Sequence, residues 1–252
     1  MITWYTTVRI AGVIGLMLVS AASALAQAPS AGYRSFKPDG LGPHPAVVFV
    51  SGCSGFAPSF APGVYERVAE QFRKQGHVVV FADFLGRWNL KTCAGTSITH
   101  VDAAKEVVGA ATWLKSQPSI DSARITALGW SYGGGAVLVA LDRYTEDQLG
   151  FSRAVVYYPD CRSVRPWKAR TPVLMLLGTE DDVAPGKPCE ASAKKSAAPE
   201  AVKIVWFPGA YHAFDVSELP PKAQGPAGTI GYHAQAATSA WQEIEKFLGA
   251  NP

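Results

Sequence analysis

Residues 124–141 read RITALGWSYGGGAVLVAL. Arg124–Leu128 reads as a short buried strand, with β-branched Ile125 and Thr126 after Arg124. Gly129-Trp-Ser-Tyr-Gly133 then turns the chain into a helix that runs to about Asp142. A serine at the apex of a strand–turn–helix is the context in which G-x-S-x-G carries chemistry. The demand is steric. A serine held at a strained tight turn needs neighbours without side chains two positions away. The helix that follows aims its N-terminal amides at an oxygen where negative charge develops. The same glycines do not suit a nucleotide: G-x-G-x-x-G would need glycine where Ser131 stands, and no G-x-x-x-x-G-K-[ST] occurs.

Outward from this turn, strands and helices alternate. Ala46–Val50 and Val78–Ala82 are continuous apolar runs upstream, and Ala154–Tyr158, Val173–Leu177 and Val202–Phe207 follow downstream. A short edge strand is expected around Tyr33–Lys37. Helices are expected over Gly63–Gln75, Ser97–Gln117 and about Tyr232–Leu248. In the second of these, Val101, Ala104, Val107, Val108, Ala111 and Leu114 form one apolar stripe. The alternation predicts an α/β fold with a mostly parallel, doubly wound sheet and helices on both faces. Ligands in such sheets sit beyond the carboxyl ends of the strands. The loops to inspect therefore begin at Ser51, Asp83, Gly129, Pro159, Gly178 and Pro208.

The 252 residues are 48% hydrophobic and 17% charged, which is a globular rather than a disordered composition. The net charge is +3 with Lys and Arg scattered, so a dedicated nucleic-acid binder is not indicated. Near the start, Arg9 precedes the apolar run Ile10–Ser20, and Ala24-Leu-Ala26 has the form of a cleavage site. Residues 1–26 read as a secretory signal that is removed, rather than as an uncleaved anchor, because the run is shorter than the roughly 20 residues a span needs. Residues 27–252 then read as one domain, exported to the periplasm or secreted, with no membrane association after cleavage. No repeat or Gly/Ser linker divides it.

Cys53, Cys93, Cys161 and Cys189 are an even set in a chain read as exported, which points to disulfides. No pair has the C-x₂₋₄-C spacing of a zinc site, and no metal is expected. Three pairings are possible. Cys53–Cys93 with Cys161–Cys189 joins loops that all lie at the carboxyl edge.

A serine hydroxyl needs a base to take its proton, and the base needs a carboxylate to hold its tautomer. In this architecture the chain order is serine, acid, histidine. Two histidines follow Ser131. His212 lies just past Val202–Phe207, whereas His233 sits at the start of the last helix. His212 is the expected base. The acid should follow Val173–Leu177, where Asp181 and Asp182 both qualify. The oxyanion hole should draw on the backbone N–H of Tyr132 and of Cys53, in the loop after Ala46–Val50.

These residues resemble the dienelactone hydrolase family of α/β-hydrolases, from roughly Gly40 to Leu248. The resemblance rests on Gly129-Trp-Ser-Tyr-Gly-Gly134, Gly178-Thr-Glu-Asp-Asp-Val-Ala-Pro185 and Gly209-Ala-Tyr-His-Ala-Phe214. It implies an esterase or lactonase without a cofactor, acting on a small-molecule substrate, and it places the acid at Asp181. It also implies that Arg87, in Asp83-Phe-Leu-Gly-Arg87, matches an arginine that holds a substrate carboxylate. Three positions depart from the family pattern. The nucleophile is Ser131 where the name-giving enzymes use cysteine. Gly52 stands where they carry a glutamate, and Val216 where they carry a second arginine.

Pocket walls are expected from Phe56, Trp88, Tyr132, Trp167 and Phe214, with Pro159–Arg170 and Asp215–Thr229 as partial covers. The elbow is also similar to that of prolyl-oligopeptidase-type serine peptidases, which usually carry a large access-restricting domain for which this chain has no room. A non-catalytic binding module would need the serine, acid, histidine order to be accidental.

Overall fold

The computed structural model describes residues 33–249, together with Met1 and Ile2. The cleavage site and most of the leader read over residues 1–26 lie outside the described residues. Seven strands form one sheet in the order β1-β3-β2-β4-β5-β6-β7. They are β1 Ser35–Phe36, β2 His44–Val50, β3 Val78–Phe81, β4 Ile120–Trp130, β5 Arg153–Tyr157, β6 Val173–Gly178 and β7 Val202–Phe207. β1 runs antiparallel to β3, and every other pairing is parallel. All the carboxyl ends of the parallel strands thus share one edge.

The central stretches of the strands are apolar because the sheet is covered on both sides there. Along β2, Ala46, Val48 and Val50 face one core. Val47 and Phe49 face the other. The first core is closed by α2 His100–Lys115, α3 Tyr132–Arg143, α4 Glu146–Leu149 and α5 Lys187–Ala193. The second is closed by α1 Val64–Lys74 and α6 Ala234–Gly249. This is the two-sided burial that continuous apolar strands require. Among the described residues, no helix is long and apolar enough to cross a membrane.

Three features differ from expectation. α2 begins after Thr99 rather than at Ser97. The Thr99 hydroxyl accepts the Asp102 N–H while the Asp102 carboxylate accepts the Thr99 N–H, a reciprocal cap that sets the boundary. β4 is longer than Arg124–Leu128 at both ends: Ile120 pairs with His44, and Trp130 pairs with Tyr157. The segment Asp215–Thr229 is not all loop, because Ala223–Gly225 and Gly228–Ile230 form a small antiparallel hairpin, β8 and β9.

Two disulfides lie beyond the carboxyl edge. Cys53 is bonded to Cys93, joining the loops after β2 and β3. Cys161 is bonded to Cys189, joining the loop after β5 to α5.

Candidate active site

Ser131 occupies the turn between β4 and α3 with φ 52° and ψ −118°, a strained backbone for a residue with a side chain. Its N–H donates to the Tyr157 carbonyl at 2.9 Å, and its carbonyl accepts from Gly135 at 3.0 Å and Asp160 at 3.1 Å. The surrounding packing explains the flanking glycines. A Cβ at Gly129 would stand 2.6 Å from the Gly133 carbonyl oxygen, and a Cβ at Gly133 would collide with the carbonyl oxygens of Val50 and Ser51. A Cβ at Gly52 would lie 3.6 Å from that of Ser131, so the loop after β2 runs directly beside the serine.

His212 Nε2 lies 2.9 Å from Ser131 Oγ. Its Nδ1 lies 2.8 Å from Asp181 Oδ2, and both side chains are almost fully buried. The other Asp181 oxygen accepts the N–H groups of Val183 at 3.0 Å and Ala184 at 2.8 Å. Three elements thus bring Ser131, His212 and Asp181 into one line: the β4–α3 turn, the loop after β7 and the loop after β6.

Asp182 points elsewhere. It is exposed and accepts the Thr229 N–H at 2.6 Å and the Thr229 hydroxyl at 3.0 Å. These bonds hold its carboxyl below the usual range. Thr229 belongs to β9, whose Ile230 bridges to His212, and Gly231 N–H donates to the His212 carbonyl at 3.0 Å. Asp182 therefore anchors the hairpin that props the histidine loop. His233 accepts the Ala236 N–H at the start of α6 and serves that helix end.

The remaining expected positions fall in different places. Tyr132 opens α3. Its ring stacks on those of His100 and Phe84, and its hydroxyl donates to the Ile98 carbonyl at 2.8 Å. Burial pushes that phenol up to about 12. The Cys53 carbonyl accepts the Cys93 N–H at 2.8 Å, while Gly52 N–H donates to Tyr65 Oη at 2.9 Å.

Trp88 is exposed. Arg87 lies 3.8 Å from the buried Glu106. Arg87 and Phe56 line a 380 Å³ cavity with Tyr33, Asp83 and Glu106; neither Ser131 nor His212 lines it. Phe214 and Trp167 are corrections to the expected pocket walls. Both are buried in the cores, Phe214 packing on Tyr157, Tyr158 and Phe207, so neither presents a face to a substrate. Among the described residues, no group of three or more His, Cys, Asp or Glu could hold a metal ion.

Two residues at the site escape the sequence reading. Tyr158 lays its ring 4.5 Å from that of His212, and Asp215 accepts hydrogen bonds from Tyr158 and Trp130. Asp215 stands three residues past His212, and only that spacing could have drawn attention to it.

A mostly parallel sheet whose carboxyl edge carries a serine elbow defines an α/β-hydrolase fold. The sequence pattern of the dienelactone hydrolase family matches residues 32–251, and the chain belongs to that family. It is a carboxylic ester hydrolase by class. A Klebsiella pneumoniae protein assigned as a dienelactone hydrolase has a similar structure, with TM-score 0.68 and 18% identity over 89% of this chain and 97% of that one. Thermogutta terrifontis esterase 2 with butyrate bound gives TM-score 0.60 and 17% identity over 85% of this chain and 87% of that one. The same esterase phosphorylated by paraoxon gives TM-score 0.59 and 17% identity, over 85% and 86%.

Proposed function

We propose that the chain hydrolyses small carboxylic esters or lactones through an acyl-enzyme on Ser131, with His212 as base and Asp181 as the acid that orients it. The observation that carries this reading is the hydrogen-bonded line from Asp181 through His212 to a serine held at φ 52°. His212 Nδ1–H donates to Asp181, leaving Nε2 free to take the Ser131 proton as Oγ attacks the carbonyl carbon. The carbonyl oxygen becomes an oxyanion, which the N–H groups of Tyr132 and Cys53 receive. His212 then protonates the leaving alkoxide. Water deprotonated by the same imidazole attacks the acyl-enzyme and restores Ser131.

Residues 27–252 act as one catalytic unit, exported after removal of residues 1–26. The two disulfides suit an oxidising compartment. The butyrate and paraoxon complexes of the Thermogutta esterase suggest the probes. A panel of p-nitrophenyl esters from acetate to laurate, with a γ-lactone and a p-nitroanilide, is run beside Ser131→Ala. Ester turnover should favour short chains over the anilide and fall about 10⁴–10⁶-fold in Ser131→Ala with the fold retained. Paraoxon should label one residue, Ser131, and abolish turnover. Wild-type-like turnover in folded Ser131→Ala removes the assignment.

A further inference from the structure

We propose that Asp215 is a positioning residue for this reaction: one carboxylate holds both the residue before the nucleophile and the ring that packs on the base, and its charge favours the protonated base. The inference rests on the roles proposed above for Ser131 and His212. Asp215 Oδ2 accepts the indole N–H of Trp130, the residue immediately before Ser131, at 2.9 Å. Asp215 Oδ1 accepts the hydroxyl of Tyr158 at 2.5 Å.

Tyr158 is otherwise poorly placed by its own backbone. It follows β5 with φ 33°, a left-handed conformation that a bulky side chain adopts only when its surroundings impose it. Its N–H donates to the Leu176 carbonyl at 2.8 Å, and its ring lies 4.5 Å from His212 and 5.4 Å from Phe214. The imidazole thus has Asp181 on Nδ1, Ser131 on Nε2 and the Tyr158 ring beside it. Without the Asp215 bond, nothing described would fix the outer end of that ring. The carboxylate joins the ends of β4 and β5 to the loop after β7, and those three segments must stay in register for Ser131 and His212 to meet.

The charge matters as well as the bonds. The titratable groups that act on Asp215 are Tyr65 of α1, Tyr157 and Tyr158 at the end of β5, and His212. Asp215 lines a 590 Å³ cavity together with Arg67 of α1 and Glu245 of α6, and Arg67 is itself paired with Glu218. Burial pushes the Asp215 carboxyl up, while its bonds from Tyr158 and Trp130 pull the other way. Around His212 the carboxylates are Asp181, Asp182 and Asp215. Asp181 is hydrogen-bonded to the ring, and Asp182 is exposed to solvent. When His212 takes the serine proton, a partly buried negative charge at Asp215 lowers the energy of the imidazolium that forms.

The test uses the full chain with Ser131→Ala, Asp215→Asn and Tyr158→Phe in parallel, with p-nitrophenyl butyrate as substrate. Thermal melts establish folding, and paraoxon labelling counts competent sites. Asp215→Asn keeps the size and removes the charge. It should lower kcat per competent site about 10–100-fold with KM within about threefold. It should also move the acid limb of the kcat/KM profile to lower pH by several tenths of a unit, because the base loses a nearby negative charge. A folded Asp215→Asn enzyme whose acid limb is unmoved overturns the inference, whatever its kcat, since a merely structural residue gives that result. Should Asp215→Asn fail to fold, Tyr158→Phe decides: a loss in kcat of at least about fivefold supports the inference, and a smaller loss overturns it. An inactive Ser131→Ala beside a wild-type-like Asp215→Asn overturns this inference alone. Turnover retained in Ser131→Ala overturns the proposed function and this inference with it.

Discussion

Replacing Cys53 and Cys93 together by alanine should lower turnover as well as stability, whereas replacing Cys161 and Cys189 should lower stability alone. The two bridges close loops of similar length, with sequence separations of 40 and 28. Chain entropy assigns about 3.9 and 3.6 kcal/mol to separations of 40 and 28, so stability cannot tell the bridges apart. For a chain of this size either loss corresponds to a fall in Tm of about 8–15 °C.

The active site separates them. Cys53 lies in the loop that passes Ser131 at Gly52 and supplies the proposed second oxyanion donor. Loss of a whole donor lowers kcat by about 10²–10³. The loop keeps two other ties, from Gly52 N–H to Tyr65 and from Cys93 N–H to the Cys53 carbonyl. The expected loss is therefore only about tenfold. Urea unfolding gives the stabilities, and kcat on p-nitrophenyl butyrate at 25 °C, well below either Tm, gives the turnover. A Cys53/Cys93 variant with kcat within twofold of wild type refutes the reasoning. So does an equal kcat loss in the two double variants, which would reflect general loosening.

Asp181→Asn should lower kcat about 10⁴-fold, as a base in the wrong tautomer does, while Asp182→Asn should lower it less than tenfold and act mainly on Tm through the hairpin bond to Thr229. Steady-state kinetics and melts on the two variants check this. Arg87 is exposed and sits by the buried Glu106, so Arg87→Ala should change kcat/KM equally, within about threefold, for a carboxylate-bearing lactone and its methyl ester. A selective loss on the carboxylate would show Arg87 reading that charge. Burial holds the His77 and His100 imidazoles below their ordinary value of 6.5. As pH falls, the unfolded chain takes up these two protons first, so stability present above pH 6.5 is lost below it, by at most about 1.4 kcal/mol per pH unit for each histidine. Urea midpoints from pH 7.5 to 5.5 measure the slope, which His77→Phe should reduce.

Much of the architecture is legible in the chain because it is encoded locally. The parts of a parallel strand buried on both faces are apolar, and Ala46–Val50 of β2, all of β3, Ala154–Tyr157 of β5 and all of β6 read that way, while the edge strand β7 is only partly buried and carries the exposed Lys203. An elbow needs glycines around its serine, and Gly129 and Gly133 stand where a side chain would strike backbone carbonyls. The position of His212 follows from strand order, because its loop begins where β7 ends. The elements that escape are those without such a signature. α4 and α5 are four and seven residues long. The hairpin β8–β9 has three-residue strands, too short to show a period.

What the sequence by itself determines is the order of elements, the edge at which chemistry gathers, and the residue types able to perform it. Each depends on spacing within a few residues. The choice of partner is decided only by the tertiary structure. Asp181 and Asp182 are neighbours of identical chemistry, and they part because one faces His212, 31 residues on, and the other Thr229, 47 residues on. Phe214 reads as a pocket wall until packing encloses it among Tyr157, Tyr158 and Phe207. Asp215 looks like an ordinary loop acid until Trp130, 85 residues away, and Tyr158, 57 residues away, converge on its two oxygens. Hydrogen bonds of this kind act over about 3 Å in space and are indifferent to distance along the chain. No local pattern can announce them; they exist only once the sheet has brought the loops together.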